Sequence, residues 1–125
     1  HGEGFGLPMF EAAQSALPVL TIAWSGQMDY LLQANKKYFI EVDHEMKKVQ
    51  SHAVWDQVLT ADSEWAYAEQ GSFKMQLRNV RKNWKKYKKQ ATELQKIVNE
   101  KYTEEKMFKQ FCDALSLKSS KVVVL

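Results

Sequence analysis

The sequence predicts an α/β fold in which a few short parallel strands precede a long helical C-terminal part. Two short apolar runs, PVLTIAW from residue 18 and KKYFIEV from residue 36, flank a stretch that can form a helix. A helix between two such strands is the pattern of a parallel strand pair. From Ser72 onward, apolar residues recur at alternating steps of three and four, which indicates one face of a helix. The 125 residues are 45% hydrophobic, so we expect a single packed domain.

The elements of the first part follow from its turn residues. Three of the five glycines lie in residues 1–7, which we interpret as a loop. Pro8 suits the first turn of a helix, which we expect to run for about two turns. The first strand follows, then a turn at Ser25-Gly26, a helix over residues 27–34 and a second strand that ends near Val42.

Residues 43–71 are polar and without clear periodicity. We predict loop and short helix there. Trp55 and Trp65 are expected to anchor this region on the body of the domain.

The second part is predicted to be helical throughout. Its apolar positions fit one inward face, with the lysines turned outward. Thr103 is a good N-cap for a last helix that runs to about Leu115. The residues of the predicted inward face are Phe73, Leu77, Val80, Trp84, Tyr87, Ala91, Leu94 and Val98.

Charge divides the chain in two. Residues 1–71 carry four basic and ten acidic side chains, a net charge of −6, whereas residues 72–125 carry 14 basic and five acidic ones, a net charge of +9. The run RNVRKNWKKYKKQ concentrates seven basic residues. We interpret this run as a solvated helix face. A nucleic acid is an unlikely partner for it, and the surface of an anionic membrane remains an alternative.

The loop before the first helix is the strongest candidate for a functional site. Its glycines let the backbone approach a ligand closely, and the N–H groups at a helix start favour phosphate. Glu3 lies in this loop and Glu11 is predicted to lie on the first turn of the helix, with seven residues between them. Carboxylates accept hydrogen bonds from sugar hydroxyls, so the pattern indicates a site for a nucleotide sugar. The structural alternative is a Gly-Pro turn that caps a core helix and leaves both glutamates solvated.

The stretch EGFGLPMFEA, followed by LPV and then WSGQMDYL, resembles the donor-binding C-terminal domain of retaining glycosyltransferases of the GT-B fold, group 1 or family 4 type. Residues 3–12 match the E-x7-E motif of that family. A looser similarity continues through Trp65-Ala66 and Glu69. The resemblance implies a partial Rossmann-like region over residues 1–71 that binds the nucleotide sugar. Residues 72–125 would be C-terminal helices packed on it within the same domain.

The resemblance also implies roles for individual residues. Glu3 would be the catalytic glutamate beside the transferred sugar, and Glu11 would hold the ribose of the nucleotide. The backbone of Gly4, Phe5, Gly6 and Leu7 would hold the sugar and diphosphate. The donor is a nucleoside-diphosphate sugar, which is a substrate, and no further cofactor is implied. His1, His44, His52 and Cys112 lack the spacing of metal ligands, so no metal site is expected.

Two departures from the family pattern bear on these expectations. Ala16 stands where the family has glycine, so the first helix is expected to end differently, because a left-handed cap is costly with a Cβ present. The resembling enzymes also carry an acceptor-binding domain and further strands upstream of the motif. We therefore expect no turnover by this polypeptide alone. We also expect a homodimer or strand exchange through uncovered edges, with KVVVL at residues 121–125 as a candidate strand.

No apolar run reaches the roughly 20 residues that a membrane span requires. The single cysteine suits a reducing compartment, so a cytoplasmic location, with or without peripheral membrane contact, is expected. The competing hypothesis for function is a small helical binding module. It would be non-enzymatic and would use its basic face to bind a polyanion or a protein.

Overall fold

The computed structural model describes residues 4–116. The elements alternate in the first part and are helical in the second. In chain order they are α1 (Leu7–Gln14), β1 (Leu20–Ile22), α2 (Met28–Leu31), β2 (Leu32–Gln33), β3 (Lys36–Lys37), β4 (Ile40–Val42), β5 (His44–Lys48), a 3-10 turn (Ser51–Ala53), β6 (Glu64–Ala68), α3 (Gln70–Lys82), α4 (Trp84–Lys101) and α5 (Glu104–Ala114).

The predicted parallel pair is present. β1 and β4 run parallel, with Leu20 opposite Ile40 and Ile22 opposite Val42. The helix between them, α2, is shorter than predicted because the chain leaves the helix at Leu32 and forms the hairpin β2–β3. Ala34 and Asn35 form its two-residue turn with φ of 48° and 63°, as a mirror-image hairpin turn requires. The mixed α/β class with short parallel strands is therefore confirmed.

Residues 43–71 differ from the prediction of loop and short helix. β5 and β6 form an antiparallel pair of five residues each, and the only short helix is the 3-10 turn between them. The pair escaped the sequence analysis because β5 exposes four of its five residues and shows no alternation of apolar and polar side chains. Trp55 is 69% exposed and is not an anchor, whereas Trp65 is half-buried.

The core lies between the α/β part and α4. Helix α1 packs along α4, and α2 and the strands close the other side. Large apolar side chains from distant segments meet there and are shielded from water, which is the main stabilising term of such a core. The buried cluster consists of Ala13, Val19, Tyr30, Leu31, Phe39, Leu94 and Val98.

The long helical face predicted from Ser72 is interrupted. α3 ends at Lys82 and α4 begins at Trp84, with Asn83 between them. The side chain of Asn83 bonds the carbonyl and the side-chain oxygen of Asn79, and a short polar side chain that bonds the backbone competes with helix propagation. The two halves of the predicted face differ in burial. Ala91, Leu94 and Val98 are buried, but the expected inward positions Phe73, Leu77 and Trp84 are exposed.

The last helix begins as predicted. The hydroxyl of Thr103 accepts a hydrogen bond from Lys106 N–H, so it caps α5. However, α5 contains no buried residue, and Phe108 and Phe111 are both more than 60% exposed. The predicted strand at residues 121–125 and the candidate Glu3 lie outside the described residues.

Candidate functional site

The start of α1 is held by the carbonyl of Gly6. This oxygen accepts hydrogen bonds from Met9 N–H at 2.9 Å and Phe10 N–H at 3.0 Å. It also accepts one from the buried hydroxyl of Tyr30 at 2.8 Å. Gly6 itself is left-handed, with φ of 77°. These bonds fix the backbone before the helix, so the preceding loop is preorganised.

Two glycines are required by close contacts in this loop. A Cβ on Gly6 would lie 2.6 Å from Met9 Cε and 3.0 Å from the Tyr30 hydroxyl oxygen. A Cβ on Gly26 would lie 1.9 Å from the carbonyl oxygen of Gly4. The loop after β1 therefore packs directly on the backbone of the loop before α1, and the two loops form one unit.

The donors that this unit can offer a ligand are few. Pro8 has no N–H, and the N–H groups of Met9 and Phe10 already bond within the turn. The N–H groups of Gly6 and Leu7 remain at the positive end of the helix dipole. The arrangement fits an anionic group such as a phosphate. We call Gly4, Phe5, Gly6 and Leu7 the glycine cradle.

An aromatic cluster packs against Phe5 of the glycine cradle. The ring of Phe5 lies 5.2 Å from that of Phe10 and 5.0 Å from that of Tyr30, measured between centroids. Phe10 in turn packs edge-on against Tyr30 and Tyr102. This packing orients the Phe5 backbone without using its polar groups, which leaves them to a ligand.

Of the two predicted acidic site residues, the structure describes only Glu11. Glu11 is exposed, and it lies on the second turn of α1 and not on the first as the sequence analysis had it. It stands one turn after Leu7, so both side chains share a helix face. Glu3 lies outside the described residues.

A cavity of about 330 Å³ adjoins the cradle at the carboxyl ends of β1 and β4. Open α/β sheets bind ligands at this end of their strands. Gln27, which touches the space a Cβ on Gly6 would fill, also lines the cavity. The cavity is lined by Leu20, Thr21, Ile22, Trp24, Ser25, Gln27, Val42, Ala66, Ala68 and Phe73.

Gln27 is the functional candidate that sequence reasoning missed. It is only 5% exposed, and among residues 4–116 nothing bonds its side-chain oxygen. A buried acceptor without a partner is costly, so a ligand that donates a hydrogen bond would be stabilised here. Its position directly after the Ser25-Gly26 turn was the only sequence signal.

The far end of α1 corrects a second expectation. Ala16 does take the left-handed conformation, with φ of 55°, and the N–H of Leu17 bonds the carbonyl of Ala12 at 2.9 Å. This is the helix ending that the family glycine would form. The side chains of Lys88 and Gln95 on α4 bond the carbonyls of Ala16 and Gln14 at 2.7 and 2.8 Å. Tertiary contacts thus hold a cap that alanine alone disfavours.

The described part of the chain contains no cluster of side chains that could hold a metal ion. None of its helices is long and apolar enough to cross a membrane. Comparison with known proteins gives one finding: the model of the family described as family 4 glycosyltransferases in conflict systems matches residues 1–111. No curated protein and no solved structure gives a significant match.

Proposed function

Because the chain belongs to the family 4 glycosyltransferases in conflict systems, we propose that it takes part in glycosyl transfer from a nucleoside-diphosphate sugar, with retention at the anomeric carbon. We propose that the chain forms the donor-binding half of a GT-B enzyme. The glycine cradle at the start of α1 carries this proposal, because it is fixed by three hydrogen bonds to Gly6 and leaves its own N–H groups to a ligand.

The roles proposed for the site follow the E-x7-E pattern. Backbone N–H groups of the cradle bind the diphosphate, and the helix dipole stabilises the negative charge that develops on it as the sugar leaves. Glu11 accepts hydrogen bonds from the ribose hydroxyls. Glu3 acts beside the transferred sugar as the catalytic carboxylate.

Gln27 adds a contact that the motif does not contain. Gln27 lines the cavity next to the cradle, and its buried side-chain oxygen has no partner among the described residues. We assign it to a hydroxyl of the bound sugar, because a hydroxyl can donate the hydrogen bond that this oxygen lacks. Trp24 at the same cavity offers a flat apolar surface to the ring.

The proposal also includes the partners that complete the cleft and cover the exposed edges of this chain. An acceptor-binding region outside residues 4–116 supplies the other half of the cleft, so the isolated polypeptide does not turn over. Among the described residues β1 pairs only with β4. We propose that its other edge and the apolar face of α5 are covered by a second copy or by that region. A cytoplasmic location suits the single cysteine.

Calorimetric titration with UDP-glucose and GDP-mannose tests donor binding. Wild type is expected to bind at least one of them, and Gly6→Ala is expected to weaken binding at least about tenfold, because the new Cβ displaces Met9 and Tyr30. Gly71→Ala is the matched control, since a Cβ there meets nothing within 4 Å. A urea denaturation curve for each variant confirms folding.

Two further variants test the proposed binding of the ribose by Glu11. Glu11→Ala is expected to weaken the same titration, whereas Glu100→Ala, which removes an equally exposed carboxylate from α4, is expected to leave it unchanged. If Glu11→Ala binds as tightly as wild type, the ribose assignment is wrong. If neither nucleotide sugar nor the corresponding free diphosphates bind wild type, the donor proposal itself is overturned.

A further inference from the structure

The junction of α3 and α4 carries an uninterrupted positive charge. Residues 70–92 contain eight lysines and arginines and no acidic residue. Lys88 turns inward to the carbonyl of Ala16. The other seven are exposed, and we call them the basic strip: Lys74, Arg78, Arg81, Lys82, Lys85, Lys86 and Lys89.

The charge of the basic strip is not neutralised by ion pairs. The salt bridges of residues 4–116 use Lys36, Lys37, Lys47 and Lys109. No member of the basic strip takes part in one. Seven cations on two consecutive helices repel each other, and an anionic partner would relieve that repulsion.

Apolar side chains lie beside the basic strip. Leu77 is 54% exposed and Trp84 is 48% exposed, and the two line a shallow cavity together with Val80 and Arg81. The sequence analysis predicted that Leu77 and Trp84 face inward, whereas the structure exposes both to solvent.

We propose that this face docks on the surface of an anionic lipid bilayer. A basic amphipathic helix with Trp and Leu on its apolar side is the kind of element that lies in the membrane interface. The basic strip would attract anionic headgroups, and Leu77 and Trp84 would enter the boundary between headgroups and acyl chains.

Aliphatic side chains favour a bilayer over a nucleic acid. A single-stranded nucleic acid gains from stacking on aromatic rings and from phosphate contacts. Leu77 and Val80 offer neither. A bilayer interface takes up aliphatic and aromatic side chains alike, so it accounts for the whole face and not only for its charge.

Vesicle co-sedimentation tests the proposal. The chain is expected to sediment with phosphatidylcholine vesicles that contain about one third phosphatidylserine, and to remain in solution with pure phosphatidylcholine. The double variant Arg81→Glu/Lys85→Glu is expected to lower binding at least about tenfold, since each basic residue near the surface contributes roughly fivefold. Lys47→Glu/Lys48→Glu, the same charge change on β5, is the control and is expected to lower binding less.

The apolar contribution is tested separately. Leu77→Ser/Trp84→Ser is expected to lower vesicle binding without a change in net charge, whereas Trp55→Ser, at another exposed tryptophan, leaves it unchanged. Heparin binding is measured in parallel. If the charge variant loses vesicle binding but the apolar variant does not, the face binds polyanions in general and the bilayer proposal is overturned. Absence of vesicle binding by folded wild type overturns it as well.

Discussion

Helices α1 and α5 reverse the usual relation between local signals and packing. Helix α5 has a side-chain cap from Thr103, Glu104 and Glu105 in its first turn, and an apolar face, yet none of its residues is fully buried. Helix α1 has no side-chain cap and ends on a left-handed alanine, yet Ala13 near its C-terminal end is fully buried. Local sequence therefore determines whether a helix forms, whereas its contribution to the core depends on what lies opposite.

The two helices also satisfy their ends by different means. At the start of α5, the N–H of Lys106 donates to the hydroxyl of Thr103, three residues away. The carbonyls at the two ends of α1 accept hydrogen bonds from Tyr30, Lys88 and Gln95, which are 24 to 81 residues away. A local cap acts in an isolated helix; a distant one acts only in the folded chain. The variants below test this difference, beginning with the one expected to change stability most.

Leu94→Ala should produce the largest change. Leu94 is fully buried in the cluster that joins α4 to α1, so its truncation is expected to lower the free energy of unfolding by about 2–5 kcal/mol. Phe111→Ala removes a larger side chain from the exposed face of α5 and is expected to change it by less than about 0.5 kcal/mol. Urea denaturation followed by tryptophan fluorescence measures both. Equal losses would show that α5 is packed in solution.

Tyr30→Phe should have an intermediate effect. It removes one of three donors to the Gly6 carbonyl, and we expect a loss of about 1 kcal/mol, since the other two bonds remain. Tyr102→Phe breaks an exposed hydroxyl bond to the carbonyl of Asp29 and is expected to lose less. Both are read from the same denaturation curves. A larger loss for Tyr102→Phe would show that the bond from Tyr102 to Asp29 stabilises the protein more than the bond from Tyr30 to Gly6.

Ala16→Gly is expected to stabilise the protein. Glycine adopts φ of 55° without the steric cost of a Cβ, so a gain of about 0.5–1 kcal/mol should result. Ala12→Gly, in the interior of the same helix, is expected to destabilise by about 1 kcal/mol. In thermal unfolding, the midpoint is expected to rise for Ala16→Gly and to fall for Ala12→Gly. A destabilised Ala16→Gly variant would mean that the methyl group of this nearly buried alanine contributes more than the strain.

Glu93→Gln should have the smallest effect, and it should depend on pH. A hydrogen bond from Lys36, and then its charge, hold the pKa of the Glu93 carboxyl below the ordinary 4.5. The same bond raises the pKa of Lys36 above 10.5. The stabilisation from Glu93 is therefore present above pH 4.5 and is lost as the pH falls through its lowered pKa; that from Lys36 is present below pH 10.5 and is lost above its raised value.

Both side chains of this pair are about half exposed, so solvent and salt screen it. The difference in unfolding midpoint between wild type and Glu93→Gln should be small at neutral pH and should vanish in acid. Glu100→Gln is the control and should show no such convergence. A difference that grows on acidification would contradict the assignment.

Several elements in both halves of the chain could be predicted because their signals are local. Apolar runs gave β1 and β4, Pro8 gave the start of α1, and Thr103 gave the start of α5. These elements depend on side chains within a few residues. The parallel pairing followed from the short helical stretch between the two runs.

The errors share a physical cause. The strands β5 and β6 pair largely through backbone groups, which leave no alternation in the side chains. The predicted burial of Trp84 depended on a helix that continued through Asn83, but the helix is interrupted there, where the Asn83 side chain bonds Asn79. The importance of Gln27 depends on a cavity formed by four distant segments. The order of residues along the chain therefore could not predict the β5–β6 pair, the exposure of Trp84 or the role of Gln27.

The bonds from Lys88 and Gln95 to the end of α1 set a time order on synthesis. The chain leaves the ribosome from its N-terminus, so the glycine cradle emerges well before α4. Until Gln95 has emerged, the last carbonyls of α1 lack their partners, which lie 72 and 81 residues further along. Contacts of such separation close slowly. The C-terminal end of α1 is therefore made well before the helix that secures it.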